Sequence, residues 1–224
     1  MTTLLIAEHD NNSISDSVRK AITAANEIGE QVDILVAGKD CNSVAEEAAK
    51  ISGINKVLIC DHDIYAKHLA EPYADLIVSL SNTYNAFIAP ATTTSKNYMP
   101  RVAALLDVPQ VSDIISVIDN QTFEHPIYAG NAIETVKLLT EKKVITVRAT
   151  AFQAAEDQEA VDIEVVDSAS NPELSEYISE ELTESDRPEL TSAKIIISGG
   201  RGMQSGDNFV LLEAIADKLG AAVG

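Results

Sequence analysis

Short apolar runs rich in β-branched residues alternate with longer amphipathic segments through the first half of the chain. A short apolar run is typical of a buried strand, and an apolar period near 3.6 residues is typical of a helix. The predicted strands are 3–7, 32–37, 56–60 and 86–89, and the predicted helices are 13–28, 43–51, 65–84 and 96–106. Alternation at this spacing predicts βαβ units and a parallel sheet.

Individual residues indicate where some of these helices begin and end. Ser13 or Ser15 is suited to the N-cap of the first helix, and Gly29 is suited to its C-cap. Pro72 is expected to bend or restart the helical pattern of 65–84, because proline lacks the backbone donor of a helix interior.

The pattern changes after Gln110, where strand-like runs follow one another with short connections. The segment 119–121 has the composition of a hairpin turn. Periodicity alone leaves 134–139 open between helix and strand. The other predicted strands of this part are 111–118, 122–128, 144–148 and 161–166. The strands as far as 148 predict an antiparallel extension of the parallel sheet, and 161–166 is expected to be a final strand.

An acidic stretch separates this region from the end of the chain. Residues 156–189 hold thirteen of the 35 acidic residues and a single basic one, Arg187. A helical period runs through 172–182 and breaks over the following residues. A charge run of this kind is typical of a solvated face and a linker. We therefore expect an N-terminal α/β domain over 1–182, a linker over 183–192 and a second domain beginning at 193.

The last 32 residues predict one strand, one tight turn and one helix. The strand is expected over 193–198, the turn over 199–203, and the helix over 205–219 with Gly220 as C-cap. A segment of this length lies below the roughly 40 residues that usually fold without a disulfide, a metal or a partner. On physical grounds we expect it to be the beginning of a domain, interrupted after one structural unit.

Composition indicates which residues form the core and which classes of partner are favoured. Aromatic residues make up 4% of the chain and tryptophan is absent, so the core must consist of aliphatic residues. The net charge of −19 disfavours nucleic acid and anionic membranes, and favours a protein partner with basic residues. The two cysteines, Cys41 and Cys60, suggest no disulfide framework.

The sequence also carries expectations about location. No targeting segment is recognisable at the N-terminus, and no apolar run approaches the roughly 20 residues that span a bilayer. We expect no stable membrane insertion and a bacterial cytoplasmic location. The mitochondrial matrix is the alternative, if a transit peptide has been removed.

The strongest chemical signal is the turn formed by Ser198, Gly199, Gly200, Arg201 and Gly202, between the predicted strand and helix. Glycines allow a ligand to approach the backbone closely, and a helix N-terminus favours a phosphate or pyrophosphate. The guanidinium of Arg201 adds a fixed charge with a forked donor. A purely structural turn between strand and helix is the alternative.

This turn is not a complete dinucleotide fingerprint. Ser205 takes the place of the third glycine, and Gly206 comes one residue late. No second strand is predicted that would offer an acidic residue to a ribose. The pattern therefore argues against a stand-alone NAD-dependent dehydrogenase.

Other polar groups are weaker candidates. The hydroxyls of 92–95 follow a strand, where α/β proteins often bind ligands, but they are better suited to capping the next helix. His62 lies between two aspartates without a second histidine at ligand spacing, and is expected to be an exposed loop residue. His9, His68 and His125 are read in the same way. Ser112 and Asp113 have no histidine to complete a hydrolase triad, so we expect no catalytic residue.

Several segments resemble the α subunit of electron-transfer flavoproteins and occur in that family's order from end to end. They are 5–9 (LIAEH), 35–38 (LVAG), 99–104 (MPRVAA), 112–114 (SDI), 127–132 (IYAGNA), 185–190 (SDRPEL), 198–202 (SGGRG) and 205–209 (SGDNF). The part from Arg187 onward is the most specific. One departure is Ala149, where the family usually has glycine after the arginine at position 148.

The resemblance implies an N-terminal α/β domain without a cofactor, followed by the first strand–turn–helix of a doubly wound domain that binds FAD. It implies a heterodimer with a β subunit, which alone holds a structural AMP. Similar proteins accept electrons from acyl-CoA dehydrogenases and related flavoenzymes in fatty acid β-oxidation and pass them to a quinone oxidoreductase. They are electron carriers rather than enzymes with a substrate of their own.

Carried over by position, the flavin contact falls on Arg201, with Ser198, Gly200 and Gly202 as backbone support. The resemblance also favours a strand over 134–139. In the family, most flavin contacts follow the position equivalent to Gly224. We therefore expect this chain alone to bind FAD weakly or not at all. The alternative is a non-redox module for subunit interaction or nucleotide binding.

Overall fold

The computed structural model describes the residues 1–167, 170–179, 187–188, 190 and 193–224. They fall into two units, 1–177 and 178–224. The predicted linker 183–192 lies largely outside the described residues. The two units are described separately.

The first unit contains ten strands and four α-helices among its described residues. The strands are β1 (Thr2–Ile6), β2 (Gln31–Gly38), β3 (Lys56–Asp61), β4 (Ala86–Pro90), β5 (Gln110–Ile114), β6 (Ser116–Asp119), β7 (Thr122–Ile127), β8 (Ala132–Lys137), β9 (Lys143–Val147) and β10 (Ile163–Val165). The helices are α1 (Asp16–Ile28), α2 (Asn42–Ala48), α3 (Ala70–Ser79) and α4 (Thr93–Leu105).

Seven of these strands form one sheet in the order β10-β3-β2-β1-β4-β9-β5, and every neighbouring pair is parallel. The chain builds outward from β1 through β2 and β3, and then continues on the other side with β4. The strand order therefore reverses between β1 and β4. The α/β class and the parallel sheet predicted from the apolar runs are confirmed.

Both faces of the sheet are covered by helices. Leu5 points to the layer that contains α1 and α2, whereas Leu4 and Ile6 point to the layer that contains α3 and α4. All three side chains are fully buried. A strand buried on both faces must be apolar throughout, which is why these strands read as continuous runs instead of alternating patterns.

Capping residues and proline determine where the helices begin and end, and these positions differ in part from those that the apolar pattern predicts. Ser15 is the N-cap of α1 and Gly29 its C-cap. The expected helix over 65–84 is shorter in the structure, because Pro72 lies in the first turn of α3, where proline is tolerated. A capping box between Thr92 and Ser95 begins α4 three residues before the expected start.

The region after Gln110 is divided between two sheets. The run predicted as one strand over 111–118 separates into β5 and β6. Asp113 takes a left-handed conformation within β5 (φ 60°), where the pairing of β5 with β9 shifts register. Three strands form the antiparallel sheet in the order β6-β7-β8, so the ambiguous segment 134–139 contributes to a strand. The segment 144–148 was expected in the extension, but β9 pairs in parallel with β4 and β5.

The helix predicted over 172–182 is absent from the part of it that the structure describes, 172–179. Its apolar side chains find no core, since Leu174 is 66% exposed and Ile178 80% exposed. A short helix in water is marginal unless its apolar face is packed. The end of the predicted helix, at Leu182, lies outside the described residues.

The second unit contains β11 (Ile196–Ile197), α5 (Val210–Leu219) and β12 (Ala222–Val223). The helix begins later than predicted, because residues 206–209 form a 3₁₀ turn capped by Ser205. Gly220 ends it in the left-handed conformation expected of a C-cap (φ 61°). β12 was not predicted. It pairs in parallel with β11, so this unit is a small βαβ arrangement.

Phe123 joins the antiparallel sheet to the main core and is fully buried. We expect Phe123→Ala to lower the free energy of unfolding by about 3–5 kcal/mol, because it leaves a cavity beneath β7. Urea denaturation followed by circular dichroism measures this loss. The matched control is Ile118→Ala on β6, whose side chain is 56% exposed and whose loss should stay within about 0.5 kcal/mol. Equal effects of the two changes would contradict this placement of Phe123.

Candidate functional site

The glycine-rich turn 198–202 follows β11 directly. The backbone N–H of Gly199 donates to the carbonyl oxygen of Gly224 at 2.8 Å. A side chain at Gly199 would place its Cβ 2.6 Å from Cδ1 of Leu212 and 3.0 Å from Cζ of Phe209. Gly199 is therefore needed for close packing of the turn against α5.

Gly200, Gly202 and Gly206 have a different environment. No atom of the described residues lies within 4 Å of the position that a Cβ would take at any of the three. Gly200 and Gly206 border an open pocket of about 390 Å³. Its lining residues are Gly199, Gly200, Arg201, Met203, Gln204, Ser205, Gly206 and Phe209. Their lack of side chains leaves room for a ligand to reach the backbone.

The turn folds as a short 3₁₀ helix, Arg201–Met203. Met203 N–H donates to Gly200 O at 2.9 Å, and Gln204 N–H donates to Arg201 O at 3.1 Å. The N–H groups of Gly200, Arg201 and Gly202 form no hydrogen bond with another described residue. Successive free N–H groups in such a turn can bind an anion.

Arg201 is exposed and lines the same pocket. Within the described parts of the chain, its guanidinium makes no hydrogen bond or ion pair. Arg187 differs, because its guanidinium lies 2.7 Å from Asp217 and 3.7 Å from Glu213. A forked donor next to free backbone N–H groups fits a phosphate or pyrophosphate. Ser198 is exposed and does not line the pocket.

A second cleft of about 620 Å³ opens in the first unit near the N-terminus of α4. Its lining residues are Lys67, His68, Thr93, Thr94, Lys96 and Asn97. Thr92, one residue earlier, caps the helix by accepting a hydrogen bond from Ser95 N–H, as expected from the sequence. The carboxyl ends of β1 and β4, where the strand order reverses, lead into this region.

His9 and His68 are not the exposed loop residues that the sequence suggested. Their rings lie 5.1 Å apart, and the ring of His68 stacks on Tyr73 at 5.4 Å. His9 Nε2 lies 3.0 Å from Ala37 O, and its Nδ1 accepts from Asn11 N–H. Burial lowers the pKa of His9 to about 4, helped by the nearby His68, and burial also lowers the pKa of His68. Sequence spacing could not reveal this pairing, because 59 residues separate the two.

The other polar candidates have structural partners. His62 is exposed and its Nδ1 accepts from Ile64 N–H. His125 lies 3.0 Å from Glu134 across β7 and β8. Asp113 pairs with Arg148, and the interaction raises the pKa of that arginine. Among the residues that the structure describes, no three His, Cys, Asp or Glu side chains are grouped to hold a metal ion.

No helix in the described part of the chain is long and apolar enough to cross a membrane. Both cysteines are buried and neither forms a disulfide, and burial raises the pKa of the Cys41 thiol to about 11. A thiol with such a pKa is almost entirely protonated at neutral pH, which makes it a poor nucleophile.

Comparison with known protein families matches both parts of the chain. The family model of the electron transfer flavoprotein domain matches residues 3–171. That of the electron transfer flavoprotein FAD-binding domain matches residues 189–224, which include the glycine-rich turn.

Curated relatives are similar in sequence over the whole length of this chain. An electron transfer flavoprotein subunit alpha from Bradyrhizobium diazoefficiens is 58% identical over all of this chain and 72% of its own length. One from Pseudomonas aeruginosa is 51% identical over all of this chain and 73% of its own length. A mitochondrial relative from Dictyostelium discoideum is 43% identical, again over the full chain and 68% of the relative.

The buried His9 predicts a specific loss of stability in acid. Its pKa is 6.5 when unfolded and about 4 when folded. Between these two values the His9 ring is protonated in the unfolded chain and neutral in the folded chain. The free energy of unfolding therefore falls as the pH drops through this window. At about 1.4 kcal/mol per pKa unit, the loss attributable to His9 is about 3 kcal/mol.

Comparison with His9→Gln measures this contribution. The free energy of unfolding of the variant should decline less steeply than that of the wild type between pH 6.5 and pH 4. An independent check is the NMR signal of the His9 ring, which should stay that of a neutral imidazole at pH 5. A ring that titrates near its unfolded pKa would contradict the prediction.

Proposed function

Since the chain belongs to the family of electron-transfer flavoprotein α subunits, we propose that it carries electrons through FAD in a heterodimer with a β subunit. The observation that carries the FAD part of this proposal is the pocket at 199–209, with its open glycines and the guanidinium of Arg201, which has no partner among the described residues. The match of the FAD-binding domain over 189–224 supports the same assignment.

Arg201, Gly200, Gly202 and Ser198 are the proposed flavin-binding residues of this chain. The free N–H groups of the turn and the guanidinium are suited to the phosphate groups of FAD. Ser198 is the first residue of the turn and acts through its backbone in this proposal. AMP belongs to the β subunit in this proposal, and no described residue is assigned to it.

The domain arrangement that fits this function has an N-terminal domain over 1–182, a linker over 183–192 and the start of the FAD-binding domain at 193. The division into units 1–177 and 178–224 supports a boundary in this region. The gap between the two family matches, which end at 171 and resume at 189, supports it as well.

The proposed electron donors are acyl-CoA dehydrogenases and related flavoenzymes, and the proposed acceptor is a quinone oxidoreductase. Bound FAD supplies the redox chemistry, while the protein holds the cofactor and limits access to it. The net charge of −19 suits brief encounters with basic surfaces on such partners. The proposed location is the bacterial cytoplasm, with the mitochondrial matrix as the alternative.

Arg201→Gln tests the proposed flavin contact. FAD should shift the amide NMR signals of Gly200, Arg201 and Gly202 in the wild-type chain, even if its affinity is low. The variant should bind FAD at least about 10-fold more weakly, because an ionic hydrogen bond to phosphate is lost. The dissociation constant from the titration of these signals is the measurement.

Lys218→Gln is the matched control, since Lys218 is also an exposed cation of the second unit but does not line the pocket. Its affinity for FAD should equal that of the wild type. Gly200→Val adds a steric probe, because its Cβ would enter the open pocket with no atom of the described residues within 4 Å. Equal FAD affinity of the Arg201→Gln and wild-type chains, or shifts confined to residues 1–177, would refute the assignment.

A further inference from the structure

The cleft near the N-terminus of α4 lies where the strand order of the large sheet reverses. β1 and β4 are neighbours, and the chain adds β2 and β3 on one side of this pair and β9 on the other. In open α/β sheets, the loops at the carboxyl ends of two such strands leave a crevice in which ligands bind. The volume of about 620 Å³ is that of a small-molecule site.

The charge of this cleft is opposite to that of the chain as a whole. Asp and Glu outnumber Lys and Arg by 35 to 16, yet the cleft is lined by Lys67 and Lys96 and by no acidic residue. Lys96 is exposed and makes no ion pair within the described residues. The Nζ of Lys67 lies 4.5 Å from the ring centre of Tyr177, a contact that orients the ammonium group without neutralising it. A positive cleft on an acidic protein favours an anionic ligand.

The first turn of α4 adds backbone donors to the same cleft. The capping box uses the hydroxyl groups of Thr92 and Ser95 and the N–H of Ser95. The N–H and hydroxyl groups of Thr93 and Thr94 have no hydrogen-bond partner among the described residues. The two capping residues therefore hold the helix end, while the two residues between them can bind a ligand. N–H groups at a helix N-terminus next to lysine side chains are suited to a phosphate group.

Arg101, one turn beyond Asn97 on the same face of α4, is a further cation without a partner. Its Nε is buried without a hydrogen-bond partner, and its guanidinium forms no ion pair with a described residue. The carboxylate of Glu71 is near enough for Arg101 to help lower its pKa, but the main cause is the hydrogen bond that it accepts from Ser175 at 2.6 Å. A helical side chain leans over the preceding turn, where Asn97 borders the cleft. A buried donor without an acceptor costs free energy, which an anion in the cleft would reduce.

We propose that this cleft binds a small phosphate-bearing molecule. The phosphate accepts hydrogen bonds from the N–H groups of Thr93 and Thr94 and lies between the two lysines of the cleft. The volume of the cleft is far larger than one phosphate ion, and His68 and Asn97 border the part that a polar organic group would fill. The inference concerns the first unit alone and is independent of the FAD site proposed at 198–202. The ligand is separate from the redox cofactor, since the family resemblance implies no cofactor in this domain.

The test titrates the full wild-type chain with ribose 5-phosphate and follows the amide NMR signals of Thr93, Thr94 and Asn97. These signals should shift and saturate. Inorganic phosphate should shift those of Thr93 and Thr94 in the same direction, because the phosphate group is the shared part. Ribose alone should leave all three unchanged. The Nε–H signal of Arg101 gives a further readout and should move when ribose 5-phosphate is added.

Lys96→Gln should raise the dissociation constant for ribose 5-phosphate at least about 10-fold, because a charge-assisted hydrogen bond is lost. Lys96 is exposed, so circular dichroism should show that the variant keeps its fold. Lys50→Gln is the matched control, since Lys50 is an exposed lysine of the first unit that does not line the cleft. Its dissociation constant should equal that of the wild type.

Three results would overturn the proposal. The first is the absence of saturable shifts at Thr93 and Thr94, and the second is equal affinity of the Lys96→Gln and wild-type chains. The third is a set of shifts confined to 200–202, which would place the phosphate on the glycine-rich turn of the second unit instead. Because the two sites are followed through different signals, the cleft and the FAD assignment can each fail without the other.

Discussion

Strand β1 lies at the centre of the seven parallel strands, and no side chain from Leu4 to Ile6 is exposed to water. The positions of the other elements of the first unit follow from the need to keep β1 buried. The helices must cover both faces, so the chain crosses over the sheet after β1, β2, β3 and β4. The same requirement brings the loops at the carboxyl ends of β1 and β4 together, where His9 and the N-terminus of α4 lie.

The strength of this constraint explains which parts of the fold could be predicted from the sequence. Apolar runs identified β1 to β4 because both faces of each strand are buried. The division of 111–118 into β5 and β6 could not be predicted, since these residues carry no turn signal at the break. The segment 172–179 shows the opposite failure, because an apolar period without a core to pack against does not produce a helix.

Prediction of the candidate site had a similar limit. The glycines and Arg201 could be identified because a turn between strand and helix is a local feature. The sequence could not show which glycine of the turn packs against the helix and which one faces the pocket. Gly199 is packed against α5 while Gly200 faces open space, although both are glycines in one turn. The pairing of His9 with His68 was missed, since it depends on how two distant loops meet.

The tip of the hairpin that joins β7 to β8 contains three successive residues in the left-handed conformation. They are Tyr128, Ala129 and Gly130, with φ values of 49°, 56° and 88°. Non-glycine residues adopt this conformation at a cost of about 1–2 kcal/mol each. The free energy of folding of this chain includes this cost. The pairing of β7 with β8 must therefore stabilise the tip by more than this amount, so the shape of the tip depends on the sheet and not on the preferences of its own residues.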